Sequence, residues 1–142
     1  MTVAFLFGSP ALAADWRYAS DSTGTTVGRS ADFIDAESLR MTSGQATFWI
    51  FTVYEHEAAQ MDNVRALYRA NCETHSFVTL QTIFYLADRS VHTGGYEAER
   101  YAAPGTVMYT DIDIACGIRP MDITSISNPY AVARGAFAST PH

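Results

Sequence analysis

The pattern of hydrophobic and polar positions predicts a chain made mainly of β-strands. Residues 45–54 carry apolar or aromatic side chains on both faces, so we expect a central strand that is covered on both sides. Residues 64–72 alternate, with Cys72 on the apolar face and arginines on the other, which predicts a strand with one buried face. Shorter strands are predicted at 16–19 and 32–35. The fold is therefore expected to be built around a sheet.

Two further segments follow this set. Residues 77–86 predict a strand on which Val78 and Phe84, among other apolar residues, share one face. Residues 88–101 are polar and contain two adjacent glycines, so we expect a long loop or hairpin there.

The segment 104–117 is compatible with two structures. As a helix, it stacks Met108, Ile112 and Cys116 on one face and ends at Gly117, which adopts the backbone conformation of a helix C-terminus without strain. As a strand, it alternates apolar residues with two aspartates and is rich in β-branched side chains. The pattern alone leaves the two open.

We interpret residues 1–13 as an export signal. They combine an apolar stretch, a proline and a small-x-small cleavage site before Ala14 or Asp15, although no basic residue precedes Arg17. A buried N-terminal strand is the alternative. We expect no lipid anchor, because no cysteine follows the cleavage site, and no membrane span elsewhere. The expected location is the periplasm or the cell surface of a Gram-negative bacterium.

Export would favour a disulfide between the two cysteines, because exported chains usually pair their thiols. Cys116 shares a face with apolar residues in either structure of its segment, so it can meet Cys72. We expect an intramolecular bridge. Two buried free thiols and an intermolecular pair are the alternatives.

Charge and length limit the function classes. The net charge is −6 and all nine basic residues are arginines, which argues against nucleic acid as a partner. Arg65, Arg69 and Arg89 are expected to lie too far apart to form a basic patch. The length suits one domain, and residues 118–142 are expected to be an irregular extension, with a short helix at 130–138 as the alternative.

Side chains that bind metals are present but poorly spaced. Residues 55–57 (Glu-His-Glu) are expected to form a solvated loop, since alternation turns the histidine away from both glutamates. Asp111 and Asp113 lack the other oxygen ligands of a calcium loop, so we expect a charged helix face. His75 and His92 have no cysteine or histidine at zinc spacing. We predict no metal and no cofactor.

Catalytic groups are equally scarce. No serine lies in a nucleophile elbow, and the cysteines are better explained as a bridge than as nucleophiles. A hydrolase with an unrecognised site would depend on His56 or His92. We predict that the protein is not an enzyme.

The order of several short motifs resembles the surface-adhesin protein E family of bacterial exported proteins. These motifs are Trp16, residues 33–40 (Phe-Ile-Asp-Ala-Glu-Ser-Leu-Arg), Phe48-Trp49-Ile50, Tyr54, residues 64–72, residues 103–107 and Cys116. The resemblance implies an α+β domain over 14–117, with a twisted antiparallel sheet of about five to six strands. It also implies a C-terminal helix tied to the sheet by a disulfide, and so favours a helix at 106–115.

The resemblance implies a non-enzymatic binding domain with a protein partner, engaged through a sheet edge or through residues 88–101. A homodimer built edge to edge is a further hypothesis. The candidate binding residues are Trp49, Phe51, Tyr54, Tyr85, Arg89 and Tyr96. The alternative function is a soluble periplasmic carrier of a small molecule or haem, in which the first four of these residues line a groove. Core packing is the competing explanation for those aromatic residues.

Overall fold

The computed structural model describes residues 14–23, 28–55 and 61–139. The stretch interpreted as an export signal and the histidine at 56 lie outside these residues. The described strands are β1 (Trp16–Ser22), β2 (Ser30–Asp35), β3 (Arg40–Thr42), β4 (Gln45–Tyr54), β5 (Met61–Asn71), β6 (Ser76–Leu86), β7 (Val91–Gly94) and β8 (Glu97–Tyr101). The described helices are α1 (Val107–Ala115) and α2 (Pro129–Ser139).

The strands form a single antiparallel sheet whose main path runs β1-β2-β4-β5-β6-β7. The predicted strand at 45–54 is β4, and its central position confirms the inference from its two apolar faces. Strand β3 pairs with β4, and β8 pairs with β6. The α+β fold is confirmed, with eight described strands where about five to six were expected.

The additional strands come mainly from residues 88–101, where a long loop or hairpin was expected. A loop is wrong and the hairpin alternative applies, because β7 follows β6 after a short turn and pairs with it antiparallel, and β8 pairs with β6 as well. Strand pairing uses backbone N–H and C=O groups, so an exposed edge strand needs no apolar side chains. The polar composition of this stretch therefore does not distinguish a paired edge strand from a loop.

Helix α1 packs on one face of the sheet and confirms the helix over the strand. The Thr106 hydroxyl caps it by accepting the N–H of Tyr109, and Cys116 is the C-cap residue. Ile112 lies fully buried against Ile34 and Phe48 of the sheet. This face holds the larger part of the apolar core.

Helix α2 packs on the opposite face. Its Ala133 lies in a second apolar cluster with Ala31, Phe33, Phe51 and Val53. The prediction of an irregular C-terminal extension is therefore wrong for this stretch, where the alternative of a short helix applies. Neither α1 nor α2, the helices of the described residues, is long and apolar enough to cross a membrane.

A β-bulge in β6 changes which side chains share a face. Leu67 pairs with Gln81 and Tyr68 pairs with Thr79, so Leu80 is the extra residue. The bulge shifts the alternation by one position. Val78 and Phe84 consequently lie on opposite faces, and the prediction that they share one is wrong.

The predicted disulfide is confirmed. Cys72 and Cys116 are bonded, with 5.7 Å between their Cα atoms, and no described cysteine is free. The bond joins the end of β5 to the C-terminus of α1, so it ties the helix to the sheet.

Candidate binding surface

The outer edge of the sheet is formed by β7 and β8 together. Strand β7 pairs with residues 82–85 of β6, and β8 pairs with residues 76–79 of the same strand. The two short strands therefore behave as one interrupted edge strand, which we call the outer edge (residues 91–101). Among the described strands, none pairs with the other side of the outer edge. Its outward N–H and C=O groups form a template for a further strand.

Large side chains are exposed along the outer edge. Tyr96 is 66% exposed, Tyr101 is 70% exposed, and Val91 is also exposed. Sequence analysis singled out Tyr96 and missed Tyr101, which ends the charged stretch that was expected to form a loop or hairpin. Tyr101 belongs to the outer edge because its strand pairs with β6, and this pairing is not visible in the local sequence.

The turn between β6 and β7 presents Arg89. This residue has a positive φ of 72° and its N–H donates to the Leu86 carbonyl, so it stands at the tip of a tight turn. The neighbouring Asp88 carboxylate accepts hydrogen bonds from the hydroxyl and the N–H of Ser90. These bonds, the hydroxyl foremost, hold the pKa of Asp88 below its usual value. Arg89 thus lies in the turn that leads into the outer edge.

Arg100 fixes β8 to the sheet. Its guanidinium lies over the Phe77 ring, 4.9 Å from the centroid, and donates to the Thr79 hydroxyl at 3.1 Å. It also pairs with Glu97 at 3.4 Å. These contacts fasten β8 on the face of the sheet to which Arg100 points, while Tyr101 points to the opposite face and stays exposed.

The four candidate aromatic residues do not line one groove. Trp49, Phe51 and Tyr85 lie on the face of the sheet that carries α2, as the register of β4, β5 and β6 shows. Phe51 is only 3% exposed and belongs to the apolar cluster under α2. Tyr54 lies on the opposite face, in a hollow beside Asp32, and burial raises its pKa. Core packing accounts for Phe51.

The two aspartates of α1 are buried, so the prediction of a charged helix face is wrong. Asp111 is 1% exposed and accepts a hydrogen bond of 2.6 Å from the Ser20 hydroxyl. Burial, with the nearby Asp32 as the next cause, raises the pKa of Asp111 well above its usual value. No cluster of three or more metal-binding side chains lies in the parts of the chain that the structure describes.

Asp113 forms a buried pair with His75. The His75 Nε2 atom lies 2.6 Å from Asp113 Oδ1, and the imidazole stacks on the Tyr109 ring at 3.8 Å. Arg119 contacts the other carboxylate oxygen at 3.3 Å. This pairing escaped sequence reasoning because its partners are 38 residues apart. It fastens α1 and contributes no open site.

Comparisons with known proteins identify what the chain is similar to. A family model described as surface-adhesin protein E matches residues 16–117. A comparison with curated protein sequences finds no match. The matched residues run from β1 to the end of α1, so α2 lies outside them.

Solved structures of Haemophilus influenzae protein E are also similar. Crystal form II shares 16% sequence identity with a TM-score of 0.47, covering 82% of this chain and 98% of that one. A second structure shares 15% identity with a TM-score of 0.47, covering 83% and 93%. Protein E from non-typeable H. influenzae shares 15% identity with a TM-score of 0.43, covering 82% and 83%.

Proposed function

Because this chain belongs to the surface-adhesin protein E family, we propose that it is a non-enzymatic binding protein of the bacterial envelope with an adhesion-type role. The observation that carries the proposal is the unpaired outer edge of the sheet with its exposed tyrosines. The partner is a protein that adds a strand to this edge.

Strand addition suits the chemistry of the outer edge. The partner's main chain supplies hydrogen bonds, and its side chains meet those that alternate along the edge. Tyr96 and Tyr101 offer apolar area together with a hydroxyl, a combination enriched at protein interfaces. The charged residues Glu97, Glu99 and Arg100 disfavour indiscriminate pairing, because an incoming strand must match them.

A second copy of the chain is one partner of this kind. Two outer edges related by a twofold axis pair antiparallel, so that every contact between two residues occurs twice, once in each direction across the axis. Sedimentation equilibrium over a concentration series tests this. Strictly monomeric behaviour at every concentration removes the homodimer and leaves a different protein as the partner.

The edge itself is tested by exposed-residue variants. We expect saturable binding of the purified protein to at least one member of a panel of immobilised extracellular host proteins, or to itself. Tyr96→Ser combined with Tyr101→Ser should weaken that binding about tenfold, which is the usual loss for interface aromatic residues. Ile123→Ser is the matched control, because Ile123 is 91% exposed and lies outside the outer edge. Equal losses in the two variants, or no saturable binding, would contradict the proposal.

The compartment is a second part of the proposal. The disulfide supports a location outside the cytoplasm, since such bonds persist in oxidising compartments. The test is the intact mass of the native protein from fractionated cells, with and without reduction and alkylation. We expect an extracytoplasmic species that lacks residues 1–13 and is alkylated only after reduction. A full-length cytoplasmic species with two free thiols would refute it.

A further inference from the structure

The nine arginines fall into two groups: those that form an ion pair with a carboxylate, and those for which the described residues provide no such partner. Five form ion pairs: Arg17 with Asp15, Arg29 with Glu55, Arg100 with Glu97, Arg119 with Asp113 and Arg134 with Asp62. Within the described residues, Arg40, Arg65, Arg69 and Arg89 have no such partner. In a chain with a net charge of −6, four arginines without a carboxylate partner call for an explanation.

The strand register places three of these four on one face of the sheet. Arg40 pairs with Thr47, and Thr47 pairs with Arg69, so these side chains form a row across β3, β4 and β5. Arg65 lies on the same face, because it is four positions from Arg69 on one strand. All three arginines are exposed, and the Nη1 atom of Arg40 donates to the backbone carbonyls of Glu37 and Leu39, which do not neutralise its charge. We call the surface formed by Arg40, Arg65 and Arg69 the arginine face.

The arginine face is the part of the α2 side of the sheet that α2 leaves open. Helix α2 contacts β2 and β4, around Phe33 and Phe51. The row that contains Arg40 and Arg69 crosses β4 at Thr47, four residues before Phe51. Half-buried apolar side chains, Trp49 and Leu67, lie between.

The spacing of the charges defines the shape of an occupant. Arg65 and Arg69 are four residues apart along β5, which is about 13 Å, and Arg40 is two strand spacings from Arg69, about 10 Å. A single small anion does not reach all three. An extended chain with separated negative charges does.

The guanidinium of Arg65 contacts two aromatic rings and, among the described residues, forms no ion pair with a carboxylate. It lies 4.8 Å from the centroid of the Phe51 ring and 5.6 Å from that of Tyr85. Contacts with ring faces leave N–H donors at the guanidinium edge for a carboxylate. A hollow of about 210 Å³, lined by Trp16, Trp49 and Arg65 among others, lies beside it.

Few acidic groups oppose these arginines. Asp35 borders the hollow, but its Oδ1 atom already accepts the backbone N–H groups of Asp15 and Glu37. Glu99 lines a small hollow with Arg69 at the outer edge, without forming an ion pair with it. The face therefore keeps a positive balance.

We propose that the arginine face docks an extended acidic segment of a protein partner, with one apolar side chain seated in the hollow beside Trp49. This inference rests on the proposed function, whose protein partner it describes further. Three separated charges with apolar surface between them match a segment that alternates carboxylates and apolar residues. A densely charged polyanion, such as a sulfated glycan or a nucleic acid, is disfavoured because it requires clustered basic side chains, whereas these three arginines are separated by apolar surface.

The test uses the full-length protein and a fluorescein-labelled peptide of about eight residues in which glutamate alternates with leucine. An extended peptide of this length spans about 26 Å and so reaches all three arginines. Fluorescence anisotropy at about 0.15 M salt should show saturable binding that weakens as salt is added. The same peptide with glutamine in place of glutamate should not bind.

Variants of the face locate the binding. Arg65→Gln and Arg69→Gln should each weaken binding about three- to fivefold, as expected for an exposed charge pair. Glu99→Gln should strengthen it. Arg119→Gln is the matched control, because it removes an exposed arginine charge that lies beside α1 and outside the face, and it should leave the affinity unchanged. Thermal unfolding checks that each variant is folded.

Three outcomes overturn the inference: no saturable binding, an equal loss in Arg119→Gln, or binding of heparin or oligothymidine in preference to the acidic peptide. The edge variant with Tyr96→Ser and Tyr101→Ser separates this inference from the proposed function. It should bind the peptide normally. If the outer edge proves inactive while the peptide still requires Arg65 and Arg69, the proposed edge fails and the arginine face stands.

Discussion

The Nε2 atom of His75 lies 2.6 Å from the Oδ1 atom of Asp113, and this contact joins the turn after β5 to helix α1. The disulfide joins the same two elements, since Cys72 precedes His75 by three residues and Cys116 follows Asp113 by three. One end of α1 is therefore fastened to the sheet twice, by a covalent bond and by a buried polar pair.

Removal of the imidazole should destabilise the protein. His75→Ala leaves the buried Oδ1 atom of Asp113 without its partner on the sheet, while Arg119 still contacts Oδ2, and an unsatisfied buried acceptor costs up to about 3 kcal/mol. Urea unfolding followed by circular dichroism measures the loss. His92→Ala is the control, because His92 is exposed on β7, and it should change the free energy of unfolding by less than about 0.5 kcal/mol. Equal effects would mean that the contact contributes nothing.

Removal of the disulfide should cost a similar amount for a different reason. The bond closes a loop whose ends are 44 residues apart, which corresponds to about 4 kcal/mol in the chain-entropy account. Cys72→Ser with Cys116→Ser should lower the free energy of unfolding by about that much. Because the disulfide and His75 fasten the same elements, the losses should not add in the triple variant. Strict additivity would show that the two fastenings act independently.

The sequence predicted the centre of the sheet better than its edges. Strand β4 was predicted with its observed bounds, because burial on both faces leaves an unbroken apolar run. For β7 and β8 the prediction left a loop and a hairpin open, because the pairing of these strands depends on the backbone and leaves their side chains exposed. The faces of β6 were misassigned, because a bulge at Leu80 leaves no mark in a pattern of alternating residues.

The candidate surfaces show the same limit. Arg65 and Arg69 were expected to be too dispersed to act together, and only the register across β3, β4 and β5 shows that Arg40 joins them on one face. The burial of Asp111 and Asp113 was equally hidden. A helix with two aspartates presents a polar side, and the sequence does not show which strand covers it. The choice of a helix there came from the family resemblance.

Helix α2 should be an integral part of the core, although it lies outside the family match. Ala133 is 1% exposed and contacts the apolar cluster around Phe33 and Phe51. Ala133→Arg forces a charge into this cluster and should cost several kcal/mol, enough to lower the thermal midpoint markedly. Ala131→Arg is the control, because Ala131 is exposed on the same helix. If the two variants unfold at the same temperature, α2 is not docked in solution.

The buried carboxyl of Asp111 should make the protein less stable as the pH rises. Burial raises its pKa in the folded state above the value in the unfolded chain, which is about 3.9. At a pH between the two values the folded state keeps a proton that the unfolded state has released. Stability from this group is therefore fully present below the unfolded pKa and is lost as the pH rises through the folded pKa.

Asp111→Asn should remove this dependence. The side-chain oxygen still accepts the bond from Ser20, and the neutral amide avoids a buried charge next to Asp32. Each unit by which the folded pKa is raised corresponds to about 1.4 kcal/mol, so the variant should be more stable than the parent at pH 8 and equal to it near pH 4. Urea unfolding at a series of pH values measures the difference. Glu73→Gln, which neutralises an exposed carboxylate, is the control and should keep the slope of the parent. An unchanged slope in Asp111→Asn would place the pH dependence in another group.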